Sequence, residues 1–85
     1  MFSTDNPNIQ RPVGIIGKRE LSVKEIMAGL GLRDRKNVLS LYLNPALDER
    51  FVRLLYPDSP RHPRQKYLLT IKGMALYNKI TQPGT

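Results

Sequence analysis

The chain has 85 residues, with 14 Lys+Arg against 7 Asp+Glu, a formal net charge of +7 and a pI of about 10.2. That length allows one small domain, and a hydrophobic share of 40% fits a folded chain rather than a disordered one. With no cysteine and one histidine, His62, disulfides, cysteine nucleophiles and multi-histidine metal centres are excluded. The charge excess points to a polyanionic partner, nucleic acid before anionic membrane.

Residues 1–12 read as a flexible leader, because Asp5, Asn6, Pro7, Asn8 and Pro12 form turns and no period runs through them. They lack the apolar core of a secretory signal. A short helix is expected over Val13 to Lys18, weakened by Gly14 and Gly17. The folded domain is expected to span 13–80.

The next segment, LSVKEIMAGLGL, has both helix ends marked. Ser22 and Glu25 have capping-box spacing, in which each side chain satisfies an orphan N–H of the other's backbone. Val23, Ile26, Met27 and Leu30 follow at helical spacing, and Gly31 stands where the chain must turn left-handed. A second helix, DRKNVLSLYL, starts on Asp34 as cap and carries Val38, Leu41 and Tyr42 on one side. Asn44-Pro45 interrupts it, and a further helical turn is expected from Pro45 to Arg50.

The period then becomes that of strands. FVRLLY, ending at Pro57, and KYLLT, from Lys66 to Thr70, are strand-like. PDSPRHPRQ between them holds three prolines and two arginines, a long, stiff, basic hairpin tip. IKGMALYNKI is a closing helix, with Gly73 allowing it to pack closely, and 81–85 form a frayed tail. The inward positions are Leu21, Ile26, Leu30, Val38, Leu41, Leu47, Leu55, Leu69 and Leu76.

Helix, tight turn, helix, basic hairpin and closing helix make an α+β winged helix-turn-helix, whose second helix suits the major groove. That helix opens with Arg33, Asp34, Arg35, Lys36 and Asn37, and Ser40 follows one turn after Lys36. Arg and Asn bond guanine and adenine edges, and Lys and Ser bond bases or phosphates. Cations at a helix start oppose its dipole, which favours a functional reason for them over a merely solvated face. The hairpin tip adds Arg61, His62, Arg64 and Lys66 as DNA contacts. Tyr42, Tyr67 and Tyr77 fall at core positions rather than on a base-stacking face. Asp48 and Glu49 are adjacent on a helix and so point apart, which rules against a catalytic dyad. His62 has no partner at metal-ligand spacing.

The run from Glu20 to about Tyr77, roughly two-thirds of the chain, resembles the winged helix-turn-helix module at the C-terminus of Fic-type proteins. It is similar to the same module on predicted ATP-binding regulators of the RecG-like kind. LSVKEIM, LGLRDRKN, YLNPAL, the P-D-S-P wing and QKYLLTIKG carry the resemblance; Pro12 and Gly14 depart from its first helix. The resemblance implies a winged helix attached to a larger catalytic or regulatory region of a bacterial protein. No H-P-F-x-x-G-N-G-R or Walker motif occurs, so neither adenylylation nor ATPase activity carries over.

The resulting expectation is a cytoplasmic, non-enzymatic module that binds duplex DNA, with no cofactor, no metal and no membrane partner. The rival reading is a winged helix used for docking a protein partner or a parent-protein domain, or for dimerisation, without DNA binding. It accounts for the fold equally well but leaves the basic helix start without a role.

Overall fold

The computed structural model describes residues 6–81. Helix α1 (Pro7–Ile16) opens the fold, followed by α2 (Val23–Leu30) and α3 (Arg35–Val38). A π-helical turn (Leu39–Leu43) then runs without a break into α4 (Asn44–Asp48). Strands β1 (Val52–Leu54) and β2 (Tyr67–Leu69) form the hairpin, and α5 (Ile71–Thr81) closes it. This is a winged helix-turn-helix, as the order of elements predicts.

The leader reading fails from residue 7 onward; residues 1–5, like 82–85 of the tail, lie outside the described residues. Asn6 caps α1 by accepting the Asn8 N–H at 2.9 Å, and Pro7 sits at the helix start, where its missing donor costs nothing. Pro12 lies inside the helix and forfeits one backbone bond, a cost of about 3 kcal/mol. Burial offsets it: Ile9, Val13 and Ile16 are each 0% exposed, and Pro12 is buried with them. Tertiary packing overrides the local propensity.

Helix α2 starts and ends as its sequence predicts. The Ser22 N–H donates to Glu25 Oε1 at 2.9 Å, and the Glu25 N–H donates to Ser22 Oγ at 3.2 Å. Gly31 is left-handed at φ 72°, and the Leu32 N–H returns to the Met27 carbonyl at 3.0 Å. Asp34 Oδ1 then accepts the Asn37 N–H at 3.2 Å to start α3.

The second helix departs from its expected period. After Val38 it widens by one residue, and the Asn44 N–H bonds the Leu39 carbonyl five residues back. Asn44 is therefore helical and caps nothing, and Pro45 stands in the first turn of α4. Proline has no N–H and clashes with the carbonyl four residues earlier, a conflict that a wider turn relieves. The extra residue rotates Leu43 into the core at 0% exposed and swings Leu41 out to 50%. Leu41 is thus not a core residue, while Leu47 and Leu55 are half-buried. The other six predicted core positions are buried. Arg50 ends α4 at φ 63°, the left-handed position usually given to glycine.

The strands pair antiparallel with Val52 opposite Leu69 and Leu54 opposite Tyr67. Leu21 adds a one-residue third strand: it donates its N–H to the Tyr67 carbonyl at 3.0 Å and accepts the Tyr67 N–H at 2.7 Å. Thr70 Oγ1 accepts the Gly73 N–H at 3.0 Å and donates to the Arg50 carbonyl at 2.5 Å, which seats α5 against the end of α4. Close approach at Gly73 is real, since a Cβ there would stand 1.9 Å from the Phe51 carbonyl oxygen. Helix α5 packs on α1, with Tyr77 beside Gly17 and Ile80 beside Gly14. Among the described residues no helix is long and apolar enough to cross a membrane.

Candidate nucleic-acid interface

The Gly31 turn and the Asp34 cap direct the start of α3 outward. Arg33, Arg35, Lys36, Asn37 and Ser40 are all exposed. Ser40 lies in the π-helical turn, where its hydroxyl reaches back to the Asn37 carbonyl at 3.5 Å. Val38 anchors the other side of the helix at 0% exposed. The polar row of α3 therefore forms a free face on a fixed support.

The hairpin tip is built as a unit. The Tyr56 and His62 rings stack with centroids 3.9 Å apart and planes at 13°. His62 Nδ1 accepts the Arg64 N–H at 2.9 Å, so the neutral ring carries its proton on Nε2. The Gln65 amide does the work of a missing strand pair. Its Oε1 accepts the Tyr56 N–H at 2.9 Å, and its Nε2 donates to the carbonyls of Tyr56 (2.8 Å) and Ser59 (3.0 Å). His62 is thus a structural member of the wing, and no group of three His, Asp or Glu that could hold a metal occurs among the described residues.

Between wing and helices lies a groove of about 710 Å³. Lys24, Arg35, Arg61 and His62 give it its charge and polarity, and Val23, Leu39, Pro60, Pro63 and Tyr67 give it apolar walls. Ser22 and Gln65 complete the lining, which contains no carboxylate. The fold therefore brings Arg35 of α3 together with Arg61 and His62 of the wing. Arg33, Lys36, Asn37 and Ser40 lie outside the groove lining, as does Arg64 on the wing. Tyr67 is a core residue at 7% exposed. Burial pushes its hydroxyl pKa up, against the opposing field of Arg35.

Lys66 has a different setting. It is half-buried at the base of the hairpin, where its charge acts on Glu25. The Glu25 carboxyl is held below its ordinary value chiefly by the Ser22 N–H and then by the Ser22 hydroxyl; Lys66 and Arg19 add to this.

Lys24 is the charged groove residue missing from the sequence reading. It sits in the first turn of α2, a cation at the wrong end of a helix dipole, which is the same signal that marks α3. Gln65 carried no comparable signal, because its role depends on a loop conformation that composition does not reveal.

The comparisons with known proteins agree with this architecture. Residues 7–70 match the family model described as "Filamentation induced by cAMP protein Fic-like, C-terminal domain". The chain is similar, at 40% identity and a TM-score of 0.71, to the crystal structure of a Fic family protein from Desulfovibrio desulfuricans G20. The likeness covers 79% of this chain and 20% of that one, so the chain corresponds to about a fifth of that protein's length. No curated protein matches it in sequence. With the family model covering the helix-turn-helix and the wing alike, this chain belongs to the Fic-like C-terminal domain family.

Proposed function

We propose that this domain binds duplex DNA, with α3 in the major groove and the wing beside it. On this reading it is the regulatory or targeting part of a larger cytoplasmic bacterial protein. The observation that carries the reading is the groove between α2, α3 and wing, which gathers three cations and no carboxylate. Exposed charges of one sign gathered around a groove repel one another and attract a polyanion, which neutralises them on binding. Arg35 and Lys36 oppose the dipole of their own helix, a local cost that phosphate contact repays. The role is binding rather than catalysis, and transcriptional control is the use that fits a module of this kind. The fraction of the Desulfovibrio Fic family protein covered supports a module within a longer chain.

Two exposed aliphatic side chains favour the protein-docking reading: Leu41, half exposed beside the basic helix, and Ile71, 87% exposed at the start of α5. A single experiment separates the two readings. The domain is titrated with random duplex DNA at two salt concentrations while its backbone amide shifts are followed. DNA binding predicts salt-sensitive shifts at Arg33–Ser40, Lys24 and Arg61–Arg64. A duplex that moves none of these resonances overturns the reading and leaves docking in its place.

A further inference from the structure

We infer that the wing inserts Arg61 into the minor groove, making the domain selective for A·T-rich, narrow-groove DNA beside the site read by α3. The inference rests on the DNA-binding reading and adds to it a sequence class and the residue that detects it. Arg61 stands at the tip between Pro60 and His62, with Pro63 next, and is exposed. Among the described residues its guanidinium forms no hydrogen bond or ion pair. Nothing in its surroundings must be broken for it to enter a groove.

The loop that presents it is already ordered. The Tyr56–His62 stack, the Arg64 N–H on His62 Nδ1 and the bonds of the Gln65 amide to Tyr56 and Ser59 hold both flanks. The backbone closes the rest, with the His62 N–H on the Ser59 carbonyl at 2.8 Å and the Gln65 N–H on the His62 carbonyl at 2.9 Å. A flexible loop would lose that ordering entropy on docking, whereas this one has lost it on folding. Pro60 and Pro63 border a second, open hollow at the tip, shared with Ser59, Arg61 and His62. Their rings give that hollow an apolar share of its lining, a surface suited to the sugar walls of a narrow groove.

Shape then selects the partner. A·T tracts narrow the minor groove and deepen its negative potential, and guanine's 2-amino group obstructs the floor of G·C tracts. A guanidinium gives up water more readily than an ammonium, so the effect belongs to arginine specifically.

The test uses the whole 85-residue chain and labelled duplexes sharing one core, flanked by A·T, G·C or inosine·cytosine pairs. Inosine·cytosine has the minor-groove edge of A·T and the purine major-groove acceptors of G·C. The expected order is A·T and inosine·cytosine bound about equally, each at least about fivefold tighter than G·C. Arg61→Lys, which keeps the charge, should bring all three within about twofold while leaving the salt slope of binding unchanged. Salt-dependent binding with no flank preference overturns this inference and leaves the DNA reading standing. So does a preference that survives Arg61→Lys, or one in which inosine·cytosine behaves as G·C. Failure to bind any duplex overturns the DNA reading and this inference together.

Discussion

At the scale of single residues, the proposed DNA binding assigns base readout and backbone anchoring to different elements. Asn37 projects from the exposed start of α3, while Arg64 stands on the wing outside the groove lining. Asn37→Ala should therefore weaken discrimination at one base position, by ~1–3 kcal/mol for a bidentate contact. Arg64→Ala should weaken binding to cognate and scrambled duplexes alike and flatten the salt slope by about one unit. Comparing both variants on both duplexes checks the division, and identical behaviour would refute it. Gly73 makes a separate residue-level case in the core. A Cβ there meets a backbone oxygen, which cannot swing aside as a side chain would. Gly73→Ala should cost at least ~1–3 kcal/mol in a denaturant titration. Gly73 was legible as a packing glycine from its place in the closing helix. Lys24 and Gln65 show the opposite limit, since their roles depend on how the wing stands over α2.

At the scale of elements, the parts readable in the sequence are those whose signals are local. Ser22, Glu25 and Gly31 bracket α2 in the residues themselves, and the two strand-like runs flank an obvious hairpin tip. The unreadable parts depend on packing. Pro12 breaks the pattern of α1 yet lies in its buried stripe, and Pro45 shifts the phase of the second helix through a π-helical turn. A regular period carried across that turn puts Leu41 inward, where Leu43 belongs. The capping of α2 also has a pH signature. Glu25 titrates below its ordinary value of 4.5 because its charged form accepts the Ser22 N–H. Its contribution is therefore fully present above that value and is lost as pH falls through the lower, folded-state pKa. Urea midpoints should show Glu25→Gln less stable than the parent at neutral pH, with the gap closing as pH falls through the folded-state pKa. A gap that is constant with pH would mean that the carboxylate charge is not what caps the helix.

For the whole molecule, the net charge of +7 matters less than its placement. Lys24, Arg35 and Arg61 converge on one groove, whereas Lys66 is partly spent on Glu25 and Lys72 on the Glu49 carbonyl, which it reaches at 2.8 Å. If α2, α3 and the wing together neutralise about five phosphates, log K should fall against log salt with a slope near −4.5. Non-specific duplex should bind with a dissociation constant of roughly 1–100 μM near physiological salt. Fluorescence anisotropy across a salt series measures both, and affinity indifferent to salt would remove the electrostatic basis of the proposal.

The bridge between Leu21 and Tyr67 carries a consequence for the order in which the chain folds. It joins the entry of α2 to the far strand of the wing, so the entire helix-turn-helix is a loop closed by two backbone bonds. The helices form from neighbours in sequence, but this closure must wait until the ends of that long loop meet. Contacts made after the rate-limiting step govern escape from the native state rather than arrival at it. Leu21→Ala keeps the two backbone bonds but removes the buried side chain that packs at the bridge, so it should speed unfolding in stopped-flow measurements while leaving the refolding rate nearly unchanged. The bridge would then act as a late latch, with the wing the last part of the molecule to be secured and the first to come free.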